Sequence, residues 1–249
     1  MFSDKSIIVT GAASGIGRTC ALNLLETGNQ VIASDFSSAT LRKALGDETD
    51  NLRFLVGDIS KTLTSENAAA LALETFGRVD GLAHFAAIHS KVDWLHTSEE
   101  EFNRVLSVNL TGSFLVAQAA AKAMISQGVK GSIVLTASGS TLIGSPGGQG
   151  TGGPAYVSSK GGILVLIRSL ARALGGHGIR VNSISPGVVE TPMTAEYSRE
   201  AKSAAAERAV LGRISTPQEQ VNAAIWLLSD YSAFVTGETI NTNGGLAFA

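Results

Sequence analysis

The chain has 249 residues, 44% hydrophobic and 16% charged, so it can bury a large core. Its formal net charge of −2 comes from 19 basic and 21 acidic residues, and no basic stripe suggests nucleic acid. The single cysteine, Cys20, excludes an internal disulfide, and no apolar run is long enough for a membrane helix. The N-terminus shows no basic region followed by a long apolar stretch, so no signal peptide is expected and the chain reads as cytoplasmic.

Short β-branched runs alternate with longer helical patterns. A strand at Ile7–Val9 leads into a helix from Ile16 to about Glu26, and a second strand follows at Val31–Ala33. A third strand spans Leu52–Val56, a helix Ala68–Phe76, and a fourth strand Gly81–Ala83. Helices over 99–109 and 113–125 precede a strand at Ile133–Leu135, and a helix from Tyr156 to Leu174 precedes one at Val181–Ile184. A helix at Pro217–Leu228 leads to a last strand near Thr239–Asn241. The strand runs are apolar without alternation, as in a parallel sheet covered on both faces. The expected architecture is a single α/β domain, a doubly wound parallel sheet of about seven strands with helices on both sides. Two segments interrupt the pattern after strands. Residues 139–154 contain seven glycines, and residues 190–213 are rich in Ala and charge. Ligands of open α/β sheets sit beyond the carboxyl ends of strands, so both are expected to wall a substrate site.

The first strand runs into Thr10-Gly11-Ala12-Ala13-Ser14-Gly15-Ile16-Gly17. Glycines there permit a tight turn and let backbone N–H groups approach a pyrophosphate, with the following helix dipole aimed at the same place. Asp35 ends the second strand, where an acid can accept hydrogen bonds from both ribose hydroxyls of an adenosine and repel a 2′-phosphate. Its neighbours Ser34, Phe36, Ser37 and Ser38 carry no positive charge. The expected cofactor is therefore NAD.

The Gly-x3-Gly-x-Gly turn, together with Tyr156-Val157-Ser158-Ser159-Lys160, resembles the short-chain dehydrogenase/reductase family in its compact form. Asp58, Asn109, Ser138, Pro186-Gly187, Thr191-Pro192-Met193 and the run from Thr236 to Gly245 fit the same order, so the resemblance covers essentially the whole chain. It implies a Rossmann-type fold and a nucleotide-binding role for Gly11, Ser14, Gly15, Ile16, Gly17, Asp35 and Phe36. It further implies Asp58 and Ile59 at the adenine and Ala86 along the ribose. Pro186, Val189, Thr191 and Met193 would lie at the nicotinamide, with Tyr156 and Lys160 also touching the cofactor. It implies a homotetramer, or a dimer, paired through the helices at 113–125 and 156–174.

Tyr156 and Lys160 stand four apart on a helix, hence on one face. A free tyrosine titrates near 10, and a neighbouring ammonium is expected to lower that value so that Tyr156 can exchange the proton of an alcohol. By the resemblance, Ser138 holds the substrate oxygen and Asn109 anchors a water chain to Lys160. The expected activity is NAD-dependent interconversion of a secondary alcohol and a ketone. Leu142, Ile143, Met193 and Tyr197 in the two wall segments suggest a neutral, cyclic or hydroxylated small molecule. A 3-oxoacyl-type reductase is the alternative, and a catalytically silent nucleotide-binding relative is a third reading.

The pattern departs from the family in two places. Relatives commonly carry Asn-Asn-Ala-Gly where this chain has His84-Phe85-Ala86-Ala87; His84 can replace part of the lost bonding and Phe85 cannot. The separation of 18 residues between Ser138 and Tyr156 is longer than usual, which should reshape the substrate mouth. His89 and His96 are read as loop residues without carboxylates or cysteines at ligand spacing, so no metal site is expected. Cys20 is expected to be a small core residue.

Overall fold

The computed structural model describes residues 2–90, 92–148 and 151–248. In chain order the elements are β1 (Ser6–Thr10), α1 (Gly15–Glu26), β2 (Gln30–Asp35), α2 (Ser38–Leu45), β3 (Leu52–Val56), α3 (Thr62–Phe76) and β4 (Gly81–His84). They continue with α4 (Glu99–Leu106), a π-helical turn (Ser107–Thr111), α5 (Gly112–Gln127), β5 (Ser132–Thr136), α6 (Ser140–Ile143) and α7 (Pro154–Leu174). The last are β6 (Arg180–Pro186), α8 (Pro192–Ala195), α9 (Arg199–Arg208), α10 (Pro217–Leu228) and β7 (Thr239–Thr242).

The seven strands form one sheet in the order β3-β2-β1-β4-β5-β6-β7, and every neighbouring pair is parallel. This is the doubly wound, Rossmann-type sheet that the alternating pattern predicts. Strand order reverses between β1 and β4, where Ile8 pairs with Leu82 and Thr10 with His84. Connections leaving those two strands diverge to opposite sides, so a crevice opens beyond their carboxyl ends.

Both faces of the sheet are covered. On one, Ile8, Leu82, Ile133 and Val181 pack against Ala68 and Ala72 of α3, Val116 and Met124 of α5, and Ile163 and Ile167 of α7. On the other, Ile7, Val9, Ala83 and Ile184 meet Cys20 and Leu24 of α1, Leu41 of α2, and Val221 and Leu227 of α10. Cys20 is fully buried, and burial pushes its thiol up to about 12, which leaves it an inert core group. Truncating any of these large side chains to Ala would cost about 2–5 kcal/mol.

The elements that the periodicity missed are short or bury few side chains. The helix α2 buries only Leu41 and is held at its start by Ser37, whose hydroxyl accepts from Thr40 N–H. The helix α3 begins at Thr62, six residues earlier than expected, because its first turns are polar. Within the two segments expected to wall a substrate site lie α6, α8 and α9. Part of the first segment, Gln149 and Gly150, lies outside the described residues.

Candidate active site

A cleft of about 580 Å³ opens at the β1/β4 divergence. Its floor begins at the turn after β1, where Gly11 and Gly15 have φ of +68° and +51°, conformations that favour glycine. A Cβ on Gly11 would stand 2.8 Å from the backbone nitrogen of Ala86, and one on Gly17 would overlap the Gly11 carbonyl. Ser14 is the N-cap of α1, yet its side chain makes no capping bond, so first-turn amides of α1 face the cleft without that partner. Glycine-bared backbone and an open helix N-terminus form a donor set able to hold a pyrophosphate. Ile16 and Ile59 line the same end.

Asp35 closes this end. Its Oδ2 accepts from Ala13 N–H at 2.9 Å and its Oδ1 from Phe36 N–H at 2.7 Å. Each carboxylate oxygen has a second lone pair to offer a hydroxyl. Phe36 itself is 62% exposed along the rim. Asp58 follows β3 at the same end of the cleft. Its Oδ1 accepts from Ser60 N–H at 2.9 Å, and the cleft wall there is formed by Gly57 and Ile59.

At the end of β4, His84 takes over a bridging role. Its Nδ1 bonds Thr10 Oγ1 of β1 at 2.7 Å, and its carbonyl accepts from Thr136 Oγ1 of β5 at 2.7 Å. Thr10 Oγ1 also accepts from Ala86 N–H at 3.3 Å. Through its ring and its carbonyl, His84 thus ties three adjacent strands together. Phe85 packs against the core and lines the cleft. Burial, reinforced by nearby Lys160, pushes His84 down to about 3, so it is neutral at physiological pH.

The helix α7 begins with Pro154 at its first turn and points Tyr156 and Lys160 at the centre of the cleft. Lys160 is 2% exposed and donates from Nζ to the Thr136 carbonyl at 2.8 Å. Its Nζ lies 5.9 Å from the centre of the Tyr156 ring. Ser138 follows β5; its Oγ accepts from Ser140 Oγ at 2.9 Å, and its hydroxyl hydrogen-bonds Tyr156. The expectation that the ammonium lowers the Tyr156 pKa is overturned. Burial pushes Tyr156 up to about 12, only partly opposed by Ser138, and the same burial pushes Lys160 down to about 7. In a low-dielectric pocket desolvation drives each group toward its neutral form.

Asn109 lies behind the cleft, fully buried in the π-helical turn. Its Oδ1 accepts from Ile88 N–H at 2.8 Å, and its Nδ2 donates to Ile88 O at 2.9 Å and to Ser159 Oγ at 3.0 Å. The side chain therefore clamps the segment after β4 to the helix carrying Tyr156.

A family model described as enoyl-(acyl carrier protein) reductase matches residues 11–247. A 3-oxoacyl-(acyl-carrier-protein) reductase of Thermotoga maritima is 35% identical, with 97% of each chain covered. A 2,5-dichloro-2,5-cyclohexadiene-1,4-diol dehydrogenase of Sphingobium indicum is 36% identical over 98% of this chain and 97% of that one. The chain belongs to the short-chain dehydrogenase/reductase family. It is an oxidoreductase, and enzymes of this family use NAD or NADP. The crystal structure of a family member, a glucose/ribitol dehydrogenase from Brucella melitensis, superposes with a TM-score of 0.91 at 30% identity, covering 100% of this chain and 98% of that one.

In this short-chain dehydrogenase/reductase the far wall of the cleft comes from the segment after β6. Pro186, Val189, Thr191 and Met193 line it, and Thr191 caps α8 in a reciprocal capping box with Thr194. Thr191 also meets the glycine turn: a Cβ on Gly15 would touch its Cγ2 at 3.1 Å. One residue near Tyr156 was undervalued in the sequence. His89 packs its ring edge-on to Tyr156, centroids 4.8 Å apart, and its Nε2 lies 3.4 Å from the Tyr197 hydroxyl. No local motif marks His89; only the folding of the segment after β4 brings it to the cleft. His96 does have a carboxylate beside it, contrary to expectation: Asp93 Oδ2 lies 2.9 Å from its Nδ1, on the exposed side of the same segment. No helix of the described residues is long and apolar enough to cross a membrane.

Proposed function

We propose that this enzyme interconverts a secondary alcohol and a ketone, with NAD as its hydride partner, on a neutral cyclic or hydroxylated small molecule. The observation that carries the reading is the convergence of Ser138, Tyr156 and Lys160 on one cleft whose other end is the glycine turn and Asp35. When bound, a nicotinamide supplies the acceptor or donor of the hydride. Ser138 would donate a hydrogen bond to the reacting oxygen, and Tyr156 would exchange that oxygen's proton. Lys160 would hold the ribose and buffer the proton balance of Tyr156. Asn109 acts at one remove, by fixing the backbone on which the site rests. Pro186, Val189, Thr191 and Met193 would hold the nicotinamide ring, Ala86 the ribose, and Gly11, Ser14, Gly15, Ile16 and Gly17 the pyrophosphate.

Tyr156 stays protonated across the neutral range, given its rise to about 12. It is thus ready to give a proton to a ketone, whereas alcohol oxidation needs the phenolate. Oxidation should therefore accelerate as pH rises above neutrality. Asp35 supports NAD: a 2′-phosphate beside a carboxylate already accepting two backbone bonds would be repelled. At the substrate end the lining is Ile143, Pro146, Met193, Tyr197, Ala201 and Ala204, which suits a neutral ligand. A homotetramer is supported by apolar side chains left exposed on α5 and α7, such as Phe114 and Val165. A second reading, reduction of a 3-oxoacyl thioester, draws on Arg208 at the lip of the cleft and on the Thermotoga relative.

Fluorescence titration with NADH and NADPH, followed by turnover of secondary alcohols, polyols and a 3-oxoacyl thioester, tests these readings. Tighter NADPH binding would overturn the Asp35 argument. Preferred turnover of the thioester would favour the second reading, and failure to bind either nucleotide a silent relative. Tyr156→Phe should cut turnover by about 10²–10⁴ while nucleotide binding persists, and undiminished turnover would sink the mechanism.

A further inference from the structure

A second serine stands two residues beyond Ser138. Ser140 opens α6 and lines the cleft with Ser138 and Tyr156. It meets one atom of Ser138 twice. Its hydroxyl donates to Ser138 Oγ at 2.9 Å, and its backbone N–H donates to the same oxygen at 3.2 Å. The turn between the two serines is fixed from outside. Gly139 N–H donates to the Pro186 carbonyl of β6 at 2.8 Å, and Ala137 N–H donates to the Ile184 carbonyl at 2.8 Å. Thr141 closes the other side, its N–H and its hydroxyl both donating to the Ser138 carbonyl, at 3.0 Å and 2.7 Å. A serine hydroxyl has one proton to give and two lone pairs with which to accept. At Ser138 both lone pairs are taken by Ser140. What remains is the proton, and it is directed at Tyr156.

We infer that Ser140 is a positioning residue for the reaction: by filling both acceptor sites of Ser138 Oγ it makes Ser138 an obligate donor, and so leaves Tyr156 to accept the substrate's hydroxyl proton. This rests on the proposed alcohol–ketone chemistry at Ser138 and Tyr156. An alcohol bound between the two can receive a hydrogen bond from Ser138 but cannot give one to it. Its own proton therefore points at Tyr156, the group that must take it. In oxidation the C–H bond breaks and its electron pair leaves as hydride to the nicotinamide. The O–H bond breaks with its proton passing to the Tyr156 phenolate, and the carbon–oxygen double bond forms; reduction runs the same transfers backward. A ketone oxygen only accepts, so the same arrangement offers it two donors, Ser138 and protonated Tyr156. The chain of hydroxyls from Ser140 through Ser138 also polarises the last donor, where negative charge gathers on the substrate oxygen. A Ser138 free to accept would admit the alcohol turned the wrong way, with its proton on the serine.

The test measures cyclohexanol oxidation at saturating NAD and NADH affinity by fluorescence, in the wild type, Ser140→Ala, Ser140→Cys, Ser138→Ala and the double variant Ser138→Ala/Ser140→Ala. Ser140→Ala keeps the backbone bond and frees one lone pair of Ser138. Its kcat should fall about two- to tenfold, the scale of one neutral hydrogen bond. KM should hold or fall, because the wrongly turned alcohol also binds, and NADH affinity should not change. Ser140→Cys, with a weak S–H donor, should lie between, and takes the place of Ser140→Ala if that variant does not fold. Once Ser138 is alanine, removing the Ser140 hydroxyl should cost nothing further, since a residue that acts only through Ser138 has nothing left to act on. Wild-type kcat in Ser140→Ala, a raised KM, weakened NADH binding, or a further loss in the double variant overturns the role of Ser140 and leaves the alcohol–ketone reading intact. Undiminished turnover in Ser138→Ala, or no turnover of the alcohol by the wild type, overturns that reading and the role of Ser140 with it.

Discussion

Replacing Lys160 with methionine should change how stability depends on pH. Lys160 is 2% exposed, and its ammonium has the Thr136 carbonyl as acceptor. Burial alone accounts for its fall to about 7 from an ordinary 10.5. The unfolded chain keeps that proton up to its ordinary value, whereas the folded chain gives it up near 7. Between those values the unfolded state binds more protons, so stability rises with pH. At about 1.4 kcal/mol per unit, and with the folded group half titrated at pH 7, the gain from pH 7.0 to 8.5 is about 2 kcal/mol. This window isolates Lys160. The corresponding interval for His84 runs from about 3 to its ordinary 6.5, and Cys20 ionises in the unfolded chain only around its ordinary 9.0. Urea denaturation of the cofactor-free protein, at one protein concentration, should show the midpoint rising between pH 7.0 and 8.5 for the wild type. Lys160→Met should lack that rise and lose turnover. Equal pH dependence in the two proteins would refute the claim that a buried, uncompensated ammonium sits in the site.

Asp35→Ser should weaken NADH binding about tenfold, the scale of a lost charged hydrogen bond, and narrow the gap to NADPH. Equilibrium fluorescence titration reads both, and an unchanged NADH affinity would remove Asp35 from the ribose site. In Gly17→Ala the added methyl meets the Gly11 carbonyl, with Thr10 O only 3.1 Å away. A loss of about 2–4 kcal/mol in thermal unfolding, with weaker NADH binding, is expected, and wild-type melting would contradict the close packing of turn on helix. Asn109→Ala should release the backbone of Ile88, seen as faster amide exchange there. Retained protection at Ile88 would show that the segment is held by other contacts.

The centre of the sheet was legible in the sequence because β1, β2, β4 and β5 hold short, continuous apolar runs, and burial on both faces requires that composition. The strands lie where they were expected, and α1, α5, α7 and α10 follow the expected helical stretches closely. The glycine turn, Asp35, Tyr156 and Lys160 were legible for a related reason. Each occupies the end of a strand or one face of a helix, so local spacing sets its position. The protonation of Tyr156 and Lys160 could not be read from four-residue spacing, since burial, which only the closed fold sets, outweighs proximity. His84 and His89 make the same point from opposite sides. The sequence identified His84 as a departure and suggested a bonding role, and Thr10 and Thr136 from the two flanking strands turned it into a brace. His89 carries no local signal at all. Its position depends on Asn109, twenty residues further along, on Gly152 before α7, and on Tyr197 after β6. Local physical chemistry thus determined the sheet, the glycine turn and the placing of Tyr156 and Lys160 on one helix face. Contacts between residues distant in the chain decided their charge states and the shape of the substrate wall, because burial and loop-on-loop packing exist only once the chain has closed.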